Sequence, residues 1–290
     1  MKKILVTGAN GQLGKCIKDA SLKFSDFEFI FKTKEELNIV NEESVKDYFN
    51  KNIFDYCINT AAYTNVEKAE SDPDSAFLVN AEAVKNIALA CKSQNIVLIH
   101  ISTDYVFDGE KETPYTEEDK TNPINVYGAS KLKGEQYIQE IVTDYFIFRT
   151  SWLYSQYGHN FYNSILKFAK QEKELSITTE QIGTPTNAND LAKAILNTIA
   201  INSEKYGIYN FSNTGEATWY DFAKAILQHT KQFDPTKLAK TDHYRTFAKR
   251  PNYSVLSIQK FIISFNGLIN DWESSLELLT ITNSVNYGTK

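Results

Sequence analysis

The chain has 290 residues, 42% of them hydrophobic and 23% charged, with a formal net charge of -5 and an isoelectric point near 5.5. A mildly acidic chain of ordinary globular composition argues against nucleic acid or an anionic membrane as a main partner, and no stretch approaches the roughly 18 apolar residues of a membrane helix. The opening Met1-Lys2-Lys3-Ile4-Leu5-Val6 imitates a signal peptide only until Thr7-Gly8, so a cytoplasmic protein is expected. Cys16, Cys57 and Cys91 are odd in number and sit in apolar surroundings, which reads as buried free thiols. The four histidines are scattered, so no zinc or other metal site is expected.

In chain order, Ile4-Leu5-Val6 reads as a strand, residues 12–24 as a helix and residues 27–31 as a second strand. A helix over about 42–52 precedes a third strand around Tyr56-Cys57-Ile58. Ala76, Val79, Ala83, Ile87 and Ala90 recur at steps of three and four, which predicts a helix over 74–94. Residues 96–101 form a fourth strand, about 126–142 a helix and 145–148 a fifth strand. The strands are continuous apolar runs alternating with helices. That pattern predicts parallel strands covered on both faces, an α/β doubly wound sheet of Rossmann type. The second half reads as a loop at 151–160, helices near 161–171, 187–201 and 218–231, and a polar, proline-containing tail after 232. We take residues 1–150 as the cofactor-binding domain and 151–290 as a smaller, mainly substrate-binding domain, with a soft boundary and some strands shared.

Gly8-x-x-Gly11-x-x-Gly14 lies between the first strand and the first helix. Gly8 serves a tight turn, Gly11 lets the backbone approach a pyrophosphate, and Gly14 lets helix pack on strand, while the helix N-terminus offers free N–H groups. Steps of three residues point to the short-chain class of dehydrogenases. The carboxylate that holds the ribose of NAD at the end of strand two is replaced by Lys32-Thr33, followed by Lys34. Lysines there suit a 2′-phosphate, so NADPH is the expected cofactor, with NADH tolerated.

Tyr127-Gly128-Ala129-Ser130-Lys131 opens the helix after strand four. A spacing of four puts Tyr127 and Lys131 on one helix face. An ammonium beside a phenol is expected to lower its pKa, so that Tyr127 trades a proton near neutral pH and protonates a carbonyl oxygen as hydride reaches carbon. Lys131 would also hold the nicotinamide ribose. The third catalytic member is expected from the carboxyl end of strand four, His100-Ile101-Ser102-Thr103-Asp104, where Thr103 can donate to the carbonyl. His100 reads as a packing or hydrogen-bonding residue and not a ligand.

Several stretches together resemble the dTDP-4-dehydrorhamnose reductase family. They include Asn59-Thr60-Ala61-Ala62-Tyr63-Thr64, His100 through Gly109, Asn125 through Lys131, Arg149-Thr150-Ser151-Trp152, Gln181 through Thr186 and Arg250-Pro251. The resemblance implies NADPH-dependent reduction of the C4 ketone of dTDP-4-dehydro-L-rhamnose. It places Asn10, Gln12 and Leu13 at the cofactor phosphates, Asn38 and Ile39 beside the adenine, and Ala61, Ala62, Tyr63 and Thr64 against the cofactor after strand three. It gives Thr103, Asp104, Trp152 and Asn160 to the sugar and Arg250 to the diphosphate. Asn38 stands where the family usually has an acid, and Ser257 where it usually has an aspartate. Cys16 stands where some members carry a glutamate of a magnesium-linked dimer, which argues against that contact; a Mg2+ requirement and the choice of monomer or homodimer stay open. Two rivals are a sugar-nucleotide 4-epimerase and a non-catalytic regulatory subunit like the methionine adenosyltransferase beta subunit. The intact Tyr127, Lys131 and Thr103 argue against the second. The missing Glu after Thr103-Asp104 argues against dehydration.

Overall fold

The structure, a computed structural model, describes residues 1–242 and 246–287. The elements of the first half are β1 (Lys2–Thr7), α1 (Gln12–Ser21), β2 (Phe27–Lys32), α2 (Glu42–Lys51), β3 (Tyr56–Asn59), α3 (Val66–Ser71), α4 (Pro73–Phe77), α5 (Ala83–Ser93), β4 (Val97–Thr103), α6 (Val126–Ile141) and β5 (Tyr145–Thr150). The second half adds β6 (Leu153–Tyr154), α7 (Phe161–Lys170), β7 (Leu175–Thr178), β8 (Ile182–Gly183), β9 (Thr186–Asn187), α8 (Ala188–Ala200), β10 (Gly207–Asn210), β11 (Ala217–Thr218), α9 (Trp219–His229), β12 (Leu238–Thr241), α10 (Gln259–Phe265) and α11 (Trp272–Tyr287). Among the described residues, six strands pair in parallel in the order β10-β5-β4-β3-β1-β2.

Side chains of a strand alternate between faces, and here both faces are apolar. Ile4, Val6, Ile58, Ile99, Phe146 and Phe148 meet α1 and α8 on one side. Leu5, Cys57, Leu98 and Ile147 meet α2, α5 and α6 on the other. The sheet and its cores therefore draw on both halves of the chain, since α8 and β10 come from the second. A third core, with Tyr154, Tyr162, Phe222, Ile226 and Trp272, joins α7, α9 and α11 into a smaller lobe. All three cysteines are buried and free. Among the described residues, no helix is long and apolar enough to cross a membrane.

Two sequence expectations change. The helix expected over 74–94 is interrupted at Leu78–Glu82 by a single π-helical turn. Asn80, inside that turn, spends its amide on Tyr63 N (2.9 Å), Tyr63 O (2.9 Å) and Ser130 Oγ (3.0 Å). Such inserted turns recur at functional sites, and this one ties the loop after β3 to α6. The segment after 232 is not a plain tail: β12 pairs in parallel with β7, and α10 and α11 follow.

Candidate active site

The chain runs outward from β1 to β2, then returns to place β3 on the other side of β1. The crevice at that switch point, beyond the carboxyl ends of the strands, is where such sheets bind ligands. Here it opens into a cleft of about 900 Å³ that continues onto the smaller lobe.

The turn after β1 forms one wall. Gly8 has φ +69, and a Cβ on it would lie 2.6 Å from Ala61 N. Only glycine allows both the turn and the close approach of the loop after β3. Helix α1 begins at Gly11 with no side-chain cap and no acid in its first turn. By contrast, Asn41, Asn125, Asn160 and Thr218 cap α2, α6, α7 and α9. The free N–H groups and positive end of α1 thus face the cleft without an internal partner, which suits a diphosphate.

Gly8, Asn10, Gly11, Gln12 and Leu13 line this wall, followed by Asn38, Ile39, Ala61, Ala62, Tyr63 and Thr64. Gly14 lies behind it, where a Cβ would come 2.6 Å from Gly8 O. Lys32 is not brought to the cleft. It ends β2 with its Nζ 5.4 Å from the Tyr48 ring centroid, and the lysine at the cleft is Lys34.

The second wall is the carboxyl end of β4 with the start of α6. Asn125 Oδ1 accepts from Gly128 N at 2.7 Å and starts the helix. A Cβ on Gly128 would lie 2.1 Å from Tyr105 O. The missing side chain lets α6 abut the turn Asp104–Val106, which brings the Tyr127 phenol to the Thr103 hydroxyl. Thr103 Oγ1 donates to Asp104 Oδ1 at 3.0 Å and accepts from Tyr105 N at 3.2 Å. Burial pushes the Asp104 carboxyl up to about 6, partly offset by the Ser254 and Thr103 hydroxyls.

The expected lowering of the Tyr127 pKa is not seen. Burial raises it above the ordinary phenol value, and the Thr103 hydrogen bond offsets this only in part. Lys131 does not offset it, and its Nζ is engaged by β4. It donates to Ile101 O at 2.6 Å and lies 3.2 Å from His100 Nε2. Burial brings the Lys131 amine down to about 8, against the Glu135 carboxylate, which raises it. That carboxylate is held by Arg149 Nε and Nη2 at 3.0 and 2.7 Å, a buried pair joining α6 to β5.

The third wall comes from the smaller lobe. Trp152, at φ +44, stacks on Trp219 with centroids 3.6 Å apart and planes at 8°. Trp219 Nε1 donates to Gln181 Oε1 at 2.9 Å, and Phe161 backs it at 4.6 Å. Asn160 lines the cleft while its amide donates to Ser155 O and Tyr157 O at 3.0 Å and to Gln12 Oε1, so it holds the lobe to the glycine turn. Arg250 reaches the cleft from the last third of the chain. Its Nη2 donates to Glu67 Oε1 at 2.8 Å and its Nη1 to the Tyr105 hydroxyl at 3.2 Å, while the buried Nε makes no hydrogen bond.

Sequence reasoning did not single out Trp219, which opens α9 behind a Thr218/Asp221 capping box and reads there as an ordinary helix start. Nor did it find Glu67, 183 positions from the arginine it orients. Among the described residues, no group of three or more His, Cys, Asp or Glu side chains is placed to hold a metal. Cys16 is buried, with its thiol pushed up to about 12.

Residues 1–284 match a family model described as the RmlD substrate binding domain, a match that runs through both halves of the cleft. The spore coat polysaccharide biosynthesis protein SpsK of Bacillus subtilis is 40% identical over 89% of each chain. The dTDP-4-dehydrorhamnose reductase of Aggregatibacter actinomycetemcomitans is 37% identical over 96% of this chain and 98% of its own. In structure, the chain is similar to the dTDP-4-dehydrorhamnose reductase of Bacillus anthracis in complex with NADP. The TM-score is 0.91 and the identity 35%, over 97% of this chain and 99% of that one. A UDP-glucuronic acid 4-epimerase of Bacillus cereus, 20% identical at a TM-score of 0.83, shares the fold alone. With a family model matched over nearly its whole length and relatives of this identity and coverage, the chain belongs to the dTDP-4-dehydrorhamnose reductase family.

Proposed function

We propose that the protein uses NADPH to reduce the C4 ketone of dTDP-4-dehydro-L-rhamnose to dTDP-L-rhamnose. The observation that carries the proposal is the convergence of Tyr127, Thr103 and Lys131 on one wall of a cleft whose opposite walls are an uncapped helix N-terminus and an aromatic stack. Bound NADPH supplies the hydride. Among the residues lining the cleft, Gln12 and Leu13 would offer backbone N–H groups to its diphosphate, Asn38 and Ile39 would flank its adenine, and Lys34 would meet its 2′-phosphate. NADH, which lacks that phosphate, binds more weakly but is still used.

On the substrate side, Trp152 and Trp219 give the sugar a flat apolar floor. Arg250, steadied by Glu67, meets the diphosphate. Thr103 donates to the ketone oxygen, and Tyr127 passes its proton to that oxygen as the carbon is reduced. A phenol held protonated by burial suits a proton donor. Residues 1–150 mainly serve the cofactor and 151–290 mainly the substrate. The reaction runs in the cytoplasm.

The test is NADPH oxidation with dTDP-4-dehydro-L-rhamnose. Tyr127→Phe should lose about 100-fold or more of turnover, the usual scale of general acid catalysis, with unchanged circular dichroism. Full activity in that variant would refute the assigned donor. No NADPH oxidation by the native protein with this substrate would refute the function.

A further inference from the structure

Lys131 rests on a chain of buried polar groups that the proposed reaction does not use. His100 is fully buried, with Nε2 3.2 Å from Lys131 Nζ and Nδ1 3.2 Å from Asn59 Nδ2. Asn59 Oδ1 receives the Ala61 N–H at 3.2 Å and the Thr7 hydroxyl at 2.7 Å. A backbone N–H can only donate, so the oxygen of the Asn59 amide must face Ala61 and its nitrogen must face His100. That nitrogen also only donates, so His100 Nδ1 must accept. A neutral imidazole that accepts at Nδ1 carries its hydrogen on Nε2. A doubly protonated ring would set N–H against N–H at Asn59. Burial and the neighbouring Lys131 also hold the ring well below its ordinary pKa.

The hydrogen on Nε2 therefore points at Lys131 Nζ. An ammonium has three donors and no acceptor, so it would meet donor with donor. A neutral amine has a lone pair to receive that hydrogen and can still donate to Ile101 O.

We propose that Asn59 and His100 make this position of Lys131 a seat for the neutral amine, so that gaining a proton drives the side chain out toward Tyr127 and the cleft. The carboxylate that acts on the lysine is Glu135 of its own helix, already committed to Arg149 of β5. Burial leaves the amine down at about 8 in the free protein, with the Glu135 carboxylate opposing it. The consequence for cofactor binding rests on the role proposed for Lys131 at the nicotinamide ribose. There an ammonium is wanted, so cofactor binding takes up a proton when the free lysine is neutral. Asn59 and His100 are positioning residues that act through Lys131.

The tautomer is read on the free, full-length protein labelled with 15N-histidine, with His159, His229 and His243 substituted in turn so that the remaining signal is His100. The expected spectrum has a bare Nδ1 and a protonated Nε2, unchanged from mildly acidic to alkaline pH. Hydrogen on Nδ1, or a doubly protonated ring, overturns the proposal. In Asn59→Asp an acceptor replaces the donor at the same place. The hydrogen should then move to Nδ1, leaving Nε2 bare to receive an ammonium.

The second arm is the NADPH dissociation constant against pH. The native protein should weaken about tenfold per pH unit above the free lysine's pKa, the slope of one linked proton. His100→Gln keeps one donor and one acceptor and should keep that break; Asn59→Asp should shift it upward by about one pH unit or more, a tenfold change. An unmoved break in a variant whose tautomer has switched overturns the seat. A protein that binds no NADPH at any pH refutes the cofactor reading, and the tautomer alone then decides the rest.

Discussion

Asp104→Asn should make the protein more stable and less active, and its pH dependence follows from the site. Asp104 is 2% exposed, and its Oδ2 makes no hydrogen bond of normal geometry. Its carboxyl stands at about 6, against an ordinary 3.8, because burial disfavours the charge. The folded state thus binds this proton more tightly than the unfolded chain. Stability falls as pH climbs from about 4 to about 6 and stays reduced above that, by up to about 3 kcal/mol. An amide cannot ionise, so the variant escapes the penalty. Its oxygen can keep the Thr103 hydrogen bond, and its nitrogen can take the unbonded side. Urea unfolding midpoints should show the variant ahead by up to about 3 kcal/mol near pH 8 and level with the native protein near pH 4. Turnover should fall, since a carboxylate facing the cleft is lost, a trade-off common at active sites. An advantage that does not change with pH, or a variant less stable at alkaline pH, would refute the argument.

Lys34→Ala should raise the KM for NADPH about tenfold with little effect on NADH, whereas Lys32→Ala should change neither appreciably, because only Lys34 lines the cleft. Steady-state kinetics with both cofactors decides this, and the reverse pattern would return the role to Lys32. Glu135→Gln leaves the Arg149 guanidinium buried without its counter-charge. It should cost about 3–5 kcal/mol by urea unfolding, and a loss below about 1 kcal/mol would show that the pair is not needed. Gly183→Ala would set a Cβ 2.6 Å from Trp152 Cε2. It should displace the stacked tryptophans, seen as a changed fluorescence spectrum and a raised KM for the dTDP-sugar at unchanged NADPH affinity. An unchanged spectrum and KM would mean that the stack is not a substrate floor.

Local chemistry made much of the first half legible. Continuous apolar runs specify strands covered on both faces, and Ile4 and Val6 lie on the face opposite Leu5 because side chains alternate along a strand. The glycine turn could be placed because a strand precedes it and a helix follows. The spacing of Tyr127 and Lys131 could be placed because α6 is regular from its Asn125 cap. What local pattern could not show is which distant group competes for a side chain. Spacing puts Tyr127 and Lys131 on one face, yet His100 and Ile101 O, from a strand thirty positions earlier, take the lysine nitrogen. Lys32 and Lys34 look alike in sequence, but Lys32 packs over Tyr48 of α2 and Lys34 reaches the cleft.

By itself, then, the sequence determined the doubly wound sheet, the glycine turn and the residue types at the end of β4 and the start of α6, because each follows from periodicity and spacing within a few turns of chain. Only the tertiary structure decided the rest. It stacked Trp219 on Trp152, paired Arg250 with Glu67 and aimed Lys131 at His100. Those contacts join elements far apart in the chain, and packing alone sets which donor meets which acceptor.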